Sequence, residues 1–403
     1  MPASMRAAQI LSSGESLNLT NMPDGYDGLF VAALTKRLAT KAEDRSVVLV
    51  HVARDGQRAA AFTESVRFAN PQIEVLDFPS WDCQPYDRVS PNAAIASARM
   101  IVLSRLARSR STDSKPRILS TTVNALVQRV PPRKWVERET FSAAAGNALD
   151  LDALIRWLEI NGFQRASTVN EPGEYAMRGG ILDLYSPSLP LPVRLDLFGD
   201  VLETIRTFDI ETQRSSGQIK SLDLVPMSEV QLNTESMRRF GANTRGDTLY
   251  EAVSEGRRHP GIEHWLPMFY DGMDSILDYI GAAPVVLDYT AEDVAANRFS
   301  TIKDHYDNRH QLFEADSLHA SYKPLPANRL YLTPQELNDR LRLTPVMRMM
   351  PFARLEINAE HMSAAQNIAA TQAGGHYVDG GAVLGRNFAP ERNTPDTNVF
   401  EAV

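Results

Sequence analysis

An α/β fold, a parallel-sheet layer interrupted by an antiparallel α+β insert, is what this sequence predicts, and three observations predict it. Strand-length apolar runs alternate with helical stretches through the first 125 residues. From about 162 to 209 the texture changes to short alternating strands separated by turns, and beyond 221 a buried-type strand followed by a long helix returns. Parallel pairing needs long crossovers, which helices supply, whereas alternation with tight turns marks antiparallel hairpins.

The turn-rich Met22-Pro23-Asp24-Gly25 feeds a helix over 28–40 (GLFVAALTKRLAT), where Leu29, Ala32, Ala33 and Leu38 recur at helical spacing. A continuous β-branched run over 46–52 (SVVLVHV) predicts a buried strand, followed by a helix over 55–68. A second strand is expected over 73–78, ending at Pro79, then a helix over 93–107 and a third strand over 117–121 (RILST). After Pro131-Pro132, Asp150 is placed to cap a short amphipathic helix carrying Leu151, Leu154, Ile155 and Leu158, which stops at Gly162. The strand-and-turn pattern follows: GEYAMRGGILDLYSP, LPVRLDLFGD and VLETIRTFDI. In the middle segment Val193, Leu195 and Leu197 face one side and Arg194, Asp196 and Phe198 the other, although Phe198 is expected in the core by its type. Residues 284–289 (PVVLDY) predict a buried strand, 291–313 a long helix, and 387–398 (NFAPERNTPDTN) a polar linker.

Composition bounds the function classes. The 403 residues are 43% apolar and 23% charged, ordinary for a soluble globular protein of two or three domains. No apolar run approaches the roughly 20 residues of a membrane span and the start lacks a signal-peptide pattern, so a cytoplasmic chain without membrane contact is expected. The net charge of -8 argues against a dominant nucleic-acid surface, and the single Cys83 excludes an intramolecular disulfide or a cysteine zinc cluster.

A loop leading into a helix at the start of an α/β layer is where a phosphate-binding loop sits, its backbone N–H groups and a lysine facing the phosphates. Here the junction reads Asp24-Gly25-Tyr26-Asp27-Gly28-Leu29-Phe30-Val31. It keeps Gly25 and Gly28 but has no Gly-Lys-Ser/Thr, and Asp24 and Asp27 would repel phosphate. Residues 118–123 (ILSTTV), where a Mg2+-holding acidic pair could lie, carry hydroxyls only. The junction is read as a degenerate nucleotide site, and ATP hydrolysis by this chain is not expected. His305 and His310 are five apart, off the spacing of a shared ligand face, and read as a solvated helix surface. Asp183 and Asp196 read as sheet-surface charges rather than a catalytic pair, and Cys83 lacks the electropositive surroundings that activate a thiolate. What remains is the insert, where Arg165, Arg178, Arg194 and Arg206 are interleaved with Tyr175, Tyr185 and Phe198. These types dominate protein-binding hot spots, and they equally suit a half-exposed sheet with cross-strand pairs such as Arg194 to an aspartate; composition leaves both open.

Four segments, FPSWDCQPYDRVSPNAAIASAR (78–99), GEYAMRGGILDLY (173–185), RLDLFGDVLETIRTFDIETQRS (194–215) and GIEHWLPMFY (261–270), resemble the N-terminal, UvrB-like module of the bacterial transcription-repair coupling factor, in order over about 20–315. The chain departs from UvrB itself at the degenerate Gly25 to Phe30 junction. It also has only about a dozen residues between Tyr86 and Arg99, too few for UvrB's DNA-clamping hairpin. The resemblance implies a nucleotidase-like α/β domain in two parts, 1–128 and 219–325, around an inserted UvrA-binding domain at 129–218, with 326–403 leading into a further small domain. It implies a non-catalytic module that recruits UvrA through Arg178 of Met-Arg-Gly-Gly, with Gly179, Gly180, Arg165 and Tyr185 carried along. In the full-length family, contacts to RNA polymerase and DNA and the use of ATP and Mg2+ to release a stalled polymerase belong to domains not visible here, so a truncated product with no cofactor of its own is expected. The readings that compete with this one are a DNA-dependent ATPase and a sequence-independent DNA-binding module.

Overall fold

The computed structural model describes residues 1–40, 48–108, 115–241, 248–315, 323–352 and 376–382. Its largest sheet has seven strands, all paired in parallel, in the order His376–Asp379, Leu17–Thr20, Val346–Met349, Val285–Leu287, Leu49–Ala53, Arg117–Thr122, Glu74–Phe78. Strand alternation divides the side chains between two cores. Val50, Val52, Leu119, Val285 and Leu287 enter one apolar cluster, while Leu49, Ile118, Val286 and Met347 enter the other. A parallel sheet covered on both faces requires this double burial.

The expected helices form with their caps. Asp55 accepts from the backbone N–H of Arg58 at the start of the Gly56–Ala69 helix, and Asn92 accepts from Ala94 ahead of Ala93–Ala107. The long helix is Ala291–Ala315. Three strands of this sheet were not expected: Leu17–Thr20, Val346–Met349 and His376–Asp379. The last two come from the 326–403 stretch read as leading out of the domain, yet they hydrogen-bond within its main sheet. The 387–398 linker and the first two residues of the 46–52 strand lie outside the described residues.

The insert opens with the Leu151–Ile160 helix, capped by Asp150 through the Ala153 N–H, and closes that helix at Gly162 with a φ of 91°. Its sheet runs Ser215–Ile219, Val201–Phe208, Val193–Phe198, Ile181–Leu184, Glu174–Arg178, Gln164–Arg165. Five strands are antiparallel neighbours, but Gln164–Arg165 pairs with Glu174–Arg178 in parallel, so the sheet is mixed rather than purely antiparallel. A separate pair, Phe141–Ala144 with Ser221–Leu224, packs its Leu222 and Leu224 into the same core as Leu154, Leu158, Tyr175, Leu184 and Leu195. The insert's apolar core thus continues past residue 218.

The two bodies meet at a polar neck. Arg99 and Glu229, both about 1% exposed or less, form a bidentate pair with both contacts at 3.0 Å, and the Trp81 Nε1–H donates to the same carboxylate at 2.8 Å. The Arg99 guanidinium lies 4.3 Å from the Phe78 ring centroid, and the Tyr270 hydroxyl donates to the Glu229 carbonyl. On the entering strand side, Gln231 donates to the Glu139 carboxylate at 2.8 Å and Trp157 to the Glu139 carbonyl at 3.1 Å.

Candidate functional site

Two places concentrate the chemistry that the sequence singled out. The first is the end of the parallel sheet where the loop enters the Tyr26–Ala39 helix. Gly25 precedes that helix with a φ of 94°, a left-handed conformation that suits glycine, and its N–H donates at 3.0 Å to the side chain of Asp27. Asp27 in turn is ion-paired with Arg58, both almost fully buried. Arg58 also reaches Asp24 at 3.2 Å and Asp288 at 3.6 Å, and Arg54 reaches the same two carboxylates at 2.6 and 3.3 Å. The hydrogen bond from Arg54 holds the Asp24 carboxyl below its usual range, while burial pushes Asp288 up against the pull of Arg58. Both guanidiniums and the glycine N–H are thus engaged by this chain's own aspartates. The acidic residues read as repelling phosphate are ion-pair partners here. Gly28 serves packing: a Cβ there would stand 2.3 Å from the Cβ of Ser65, because the Tyr26–Ala39 and Gly56–Ala69 helices touch at this point.

The second place is the insert's outer face, opposite its apolar core. Register puts Arg178 beside Ile181, Ala176 beside Asp183, and Arg194 beside both Asp183 and Arg206 on that face. Arg194 donates to Asp183 at 2.7 and 2.9 Å and stacks over Phe208 at 5.0 Å, and Arg206 pairs with Asp196 at 2.6 Å. Asp183 and Asp196 therefore belong to separate cross-strand ion pairs; Asp183 is buried under its pair with Arg194 and is not the surface charge expected from the sequence. Arg178 differs. It is exposed, its Nη2 donates to the Ser167 carbonyl at 2.8 Å and to the Thr168 hydroxyl at 2.7 Å, and among the described residues it makes no ion pair with a carboxylate.

The remaining candidates divide. Gly179, with a φ of 62°, makes the turn after Arg178, and a side chain on Gly180 would meet the Leu197 carbonyl at 3.0 Å. Tyr185 shares the face of Arg178 but sits four residues further along its strand from Ile181, about 13 Å away at roughly 3.3 Å per residue, packed beside Val169, Ala176 and Phe208. Arg165 is exposed and paired in register with Tyr175, whose ring is in the opposite, core-side layer, so it is not brought together with Arg178. Phe198 overturns its expectation: it is 76% exposed rather than in the core. The irregularity between Asp196 and Leu197 keeps Leu197 against Leu202 on the core side and turns Phe198, paired with Val201, outward. The strand's alternation had already placed it with Arg194 and Asp196, which was the signal that its apolar type obscured.

The other candidates are quiet. Cys83 lies 3.8 Å from His264 Nε2, but burial and the nearby Asp82 push its thiol up to about 11 and burial pulls His264 down to about 4, so both are neutral and no thiolate forms. His310 pairs with Glu314 on an exposed helix face. Among the described residues no group of three or more His, Cys, Asp or Glu side chains is arranged to hold a metal, and no helix is long and apolar enough to cross a membrane.

Comparison with known proteins agrees with this division. Residues 141–230 match the family model of the UvrB interaction domain, the segment that carries the mixed sheet. Most of the chain is similar to transcription-repair-coupling factors: 29% identity over 336 residues, 81% of the chain, with that of Haemophilus influenzae, 30% over 329 residues, 79% of the chain, with that of Rickettsia conorii, and 28% over 340 residues, 82% of the chain, with that of Escherichia coli. The chain spans about 28% of the length of each of these relatives. The resemblance drawn from the four sequence segments is borne out.

Proposed function

We propose that this chain, which carries the N-terminal UvrB-like module of transcription-repair-coupling factors, is a docking module that recruits UvrA through the outer face of its insert. One observation supports this most: within the segment matching the UvrB interaction domain, Arg194 and Arg206 are internally paired, whereas Arg178 is exposed and meets only neutral acceptors. A guanidinium held by a carbonyl and a hydroxyl is positioned without being neutralised, which leaves it available to a partner's carboxylate. On this reading, polymerase release and the use of ATP belong to other segments of a coupling factor, of whose length this chain matches about 28%.

The module itself hydrolyses no nucleotide on this reading. The groups that would cradle phosphate at the Gly25 junction are occupied by Asp24, Asp27 and Asp288. ATP at millimolar concentration is expected to leave the melting temperature unchanged, and ATP turnover that co-purifies with the folded chain would overturn this part.

UvrA binding is tested with Arg178→Ala. If the arginine pairs with a carboxylate that becomes buried in the complex, truncation costs about 2 to 5 kcal/mol, or about 30-fold to several thousand-fold in affinity. Melting temperature and UvrA affinity are measured on the same preparation, with Leu191→Ala, an exposed side chain away from Arg178, as the control. A fall in stability with unchanged affinity of the folded fraction would mean that Arg178 only braces the sheet.

A further inference from the structure

Beside Arg178 lies an apolar patch that no ion pair or core contact accounts for. The turns at Gly179-Gly180 and Gly199-Asp200 sit next to each other at one end of the insert's sheet, since Leu197 donates its N–H to the Gly180 carbonyl at 2.9 Å. Gly179 and Gly199 both take left-handed φ values, 62° and 59°, which allows each hairpin to close tightly. The strand ends they join present Ile181, Phe198 and Val201, which are 36%, 76% and 42% exposed, on the face that carries Arg178. Asp196, in register with Ile181, is held by Arg206 and by the Thr204 hydroxyl at 2.7 Å, so it does not neutralise Arg178.

We infer that Phe198, flanked by Ile181 and Val201, is the apolar anchor of the same docking surface, seating in a recess of UvrA that lies beside the carboxylate engaged by Arg178. This rests on the UvrA reading above and adds to it the aromatic residue that Tyr185 was expected to supply. An exposed phenylalanine next to an unpaired arginine is the composition of a binding hot spot, where the ring contributes buried area and excludes water from the neighbouring ion pair. The charge left uncancelled at Arg178 selects an acidic partner surface over a second copy of this chain, whose own patch would bring arginine towards arginine. The side chain of Tyr185, by contrast, is spent on Val169, Ala176 and Phe208.

The experiment measures UvrA affinity, melting temperature and sedimentation for the whole chain and for Phe198→Ala, Phe198→Leu, Val201→Ser, Arg178→Ala and Leu191→Ala, the last an exposed apolar side chain at the far end of the sheet. Phe198→Ala is expected to weaken UvrA binding by about 30-fold or more at unchanged melting temperature, Phe198→Leu to recover most of that loss, and Leu191→Ala to change nothing. Should Phe198→Ala fail to fold, Val201→Ser reads the same patch and is expected to weaken binding in the same direction. If Arg178→Ala weakens binding while Phe198→Ala and Val201→Ser do not, the anchor is overturned and the UvrA reading stands. If the unaltered chain shows no UvrA binding, both fall. If it sediments as a dimer that Phe198→Ala dissociates, the patch is filled by a second copy and the anchor assignment is overturned.

Discussion

Arg58 and Arg178 show two ways of placing a guanidinium. Arg58 is 6% exposed and surrounded by Asp24 and Asp27, from the junction that enters the Tyr26–Ala39 helix, and by Asp288, just past the end of the Val285–Leu287 strand. Arg178 is exposed at a hairpin turn and rests on one carbonyl and one hydroxyl. A buried arginine with internal carboxylates is committed to stability, because losing any member strands an opposite charge in a poorly solvated site. An exposed one with neutral supports costs the fold little to lose and retains its charge for a partner.

The largest test of that contrast is Arg58→Ala, which leaves Asp27 buried without its cation and Asp288 with Arg54 alone. It should destabilise the chain by about 3 to 5 kcal/mol, read as a lower denaturant midpoint, whereas Arg178→Ala should stay within about 0.5 kcal/mol of the unaltered chain. Equal losses from the two would erase the distinction.

Acid separates the two regions next. His51 is fully buried and stacked on Phe62 at 3.5 Å, and burial pushes it down to about 3; His264 is likewise held down at about 4. Below pH 6.5 the unfolded chain takes up protons that the folded one refuses, so the stability these neutral imidazoles contribute is intact above 6.5 and is lost as pH falls towards 4. At about 1.4 kcal/mol per pH unit, each costs about 2 kcal/mol between pH 6.5 and 5. Residues 141–230 contain no histidine, so hydrogen exchange at pH 5 should show the α/β body losing protection first. Earlier loss in the insert would contradict this.

Gly28→Ala probes the packing under the ion-pair cluster. With Ser65 Cβ standing 2.3 Å from the added methyl position, the two helices must part, at about 1 to 3 kcal/mol by chemical denaturation. A smaller effect is expected of Arg206→Ala, whose side chain is 42% exposed in its pair with Asp196; less than about 1 kcal/mol should be lost.

What the sequence disclosed followed from local pattern. The Gly56–Ala69 and Ala93–Ala107 helices, the Asp150 cap of Leu151–Ile160 and the core-facing Val193 and Leu195 were legible because spacing and capping are properties of neighbouring residues. Leu17–Thr20 was not: four residues give too short a period, and its partners are Met347 and His376, more than three hundred positions away. Val346–Met349 carries Arg348, which looks like a break in an apolar run until its pair with Glu292 at 2.9 Å is seen. At the candidate site Arg178 was singled out by the family resemblance of Met-Arg-Gly-Gly, and the separation of Arg165 from it depends on one parallel strand pair that hairpin logic does not anticipate. Phe198 was misplaced because residue type was given precedence over strand alternation, and an aromatic at a hairpin tip obeys the alternation.

The neck at Arg99 and Glu229 also determines how the molecule behaves under load. The chain leaving the insert is gripped within the body by two guanidinium contacts, an indole N–H and a tyrosine hydroxyl on one glutamate, and the entering side is tied across through Glu139. The contacts on Glu229 are buried, so parting the insert from the body means breaking several of them with no water at hand to take their place. Yield under force is set by how fast such a cluster ruptures. A tug on a bound partner therefore drags the parallel sheet with it, as a rigid bracket would, instead of paying out a slack tether.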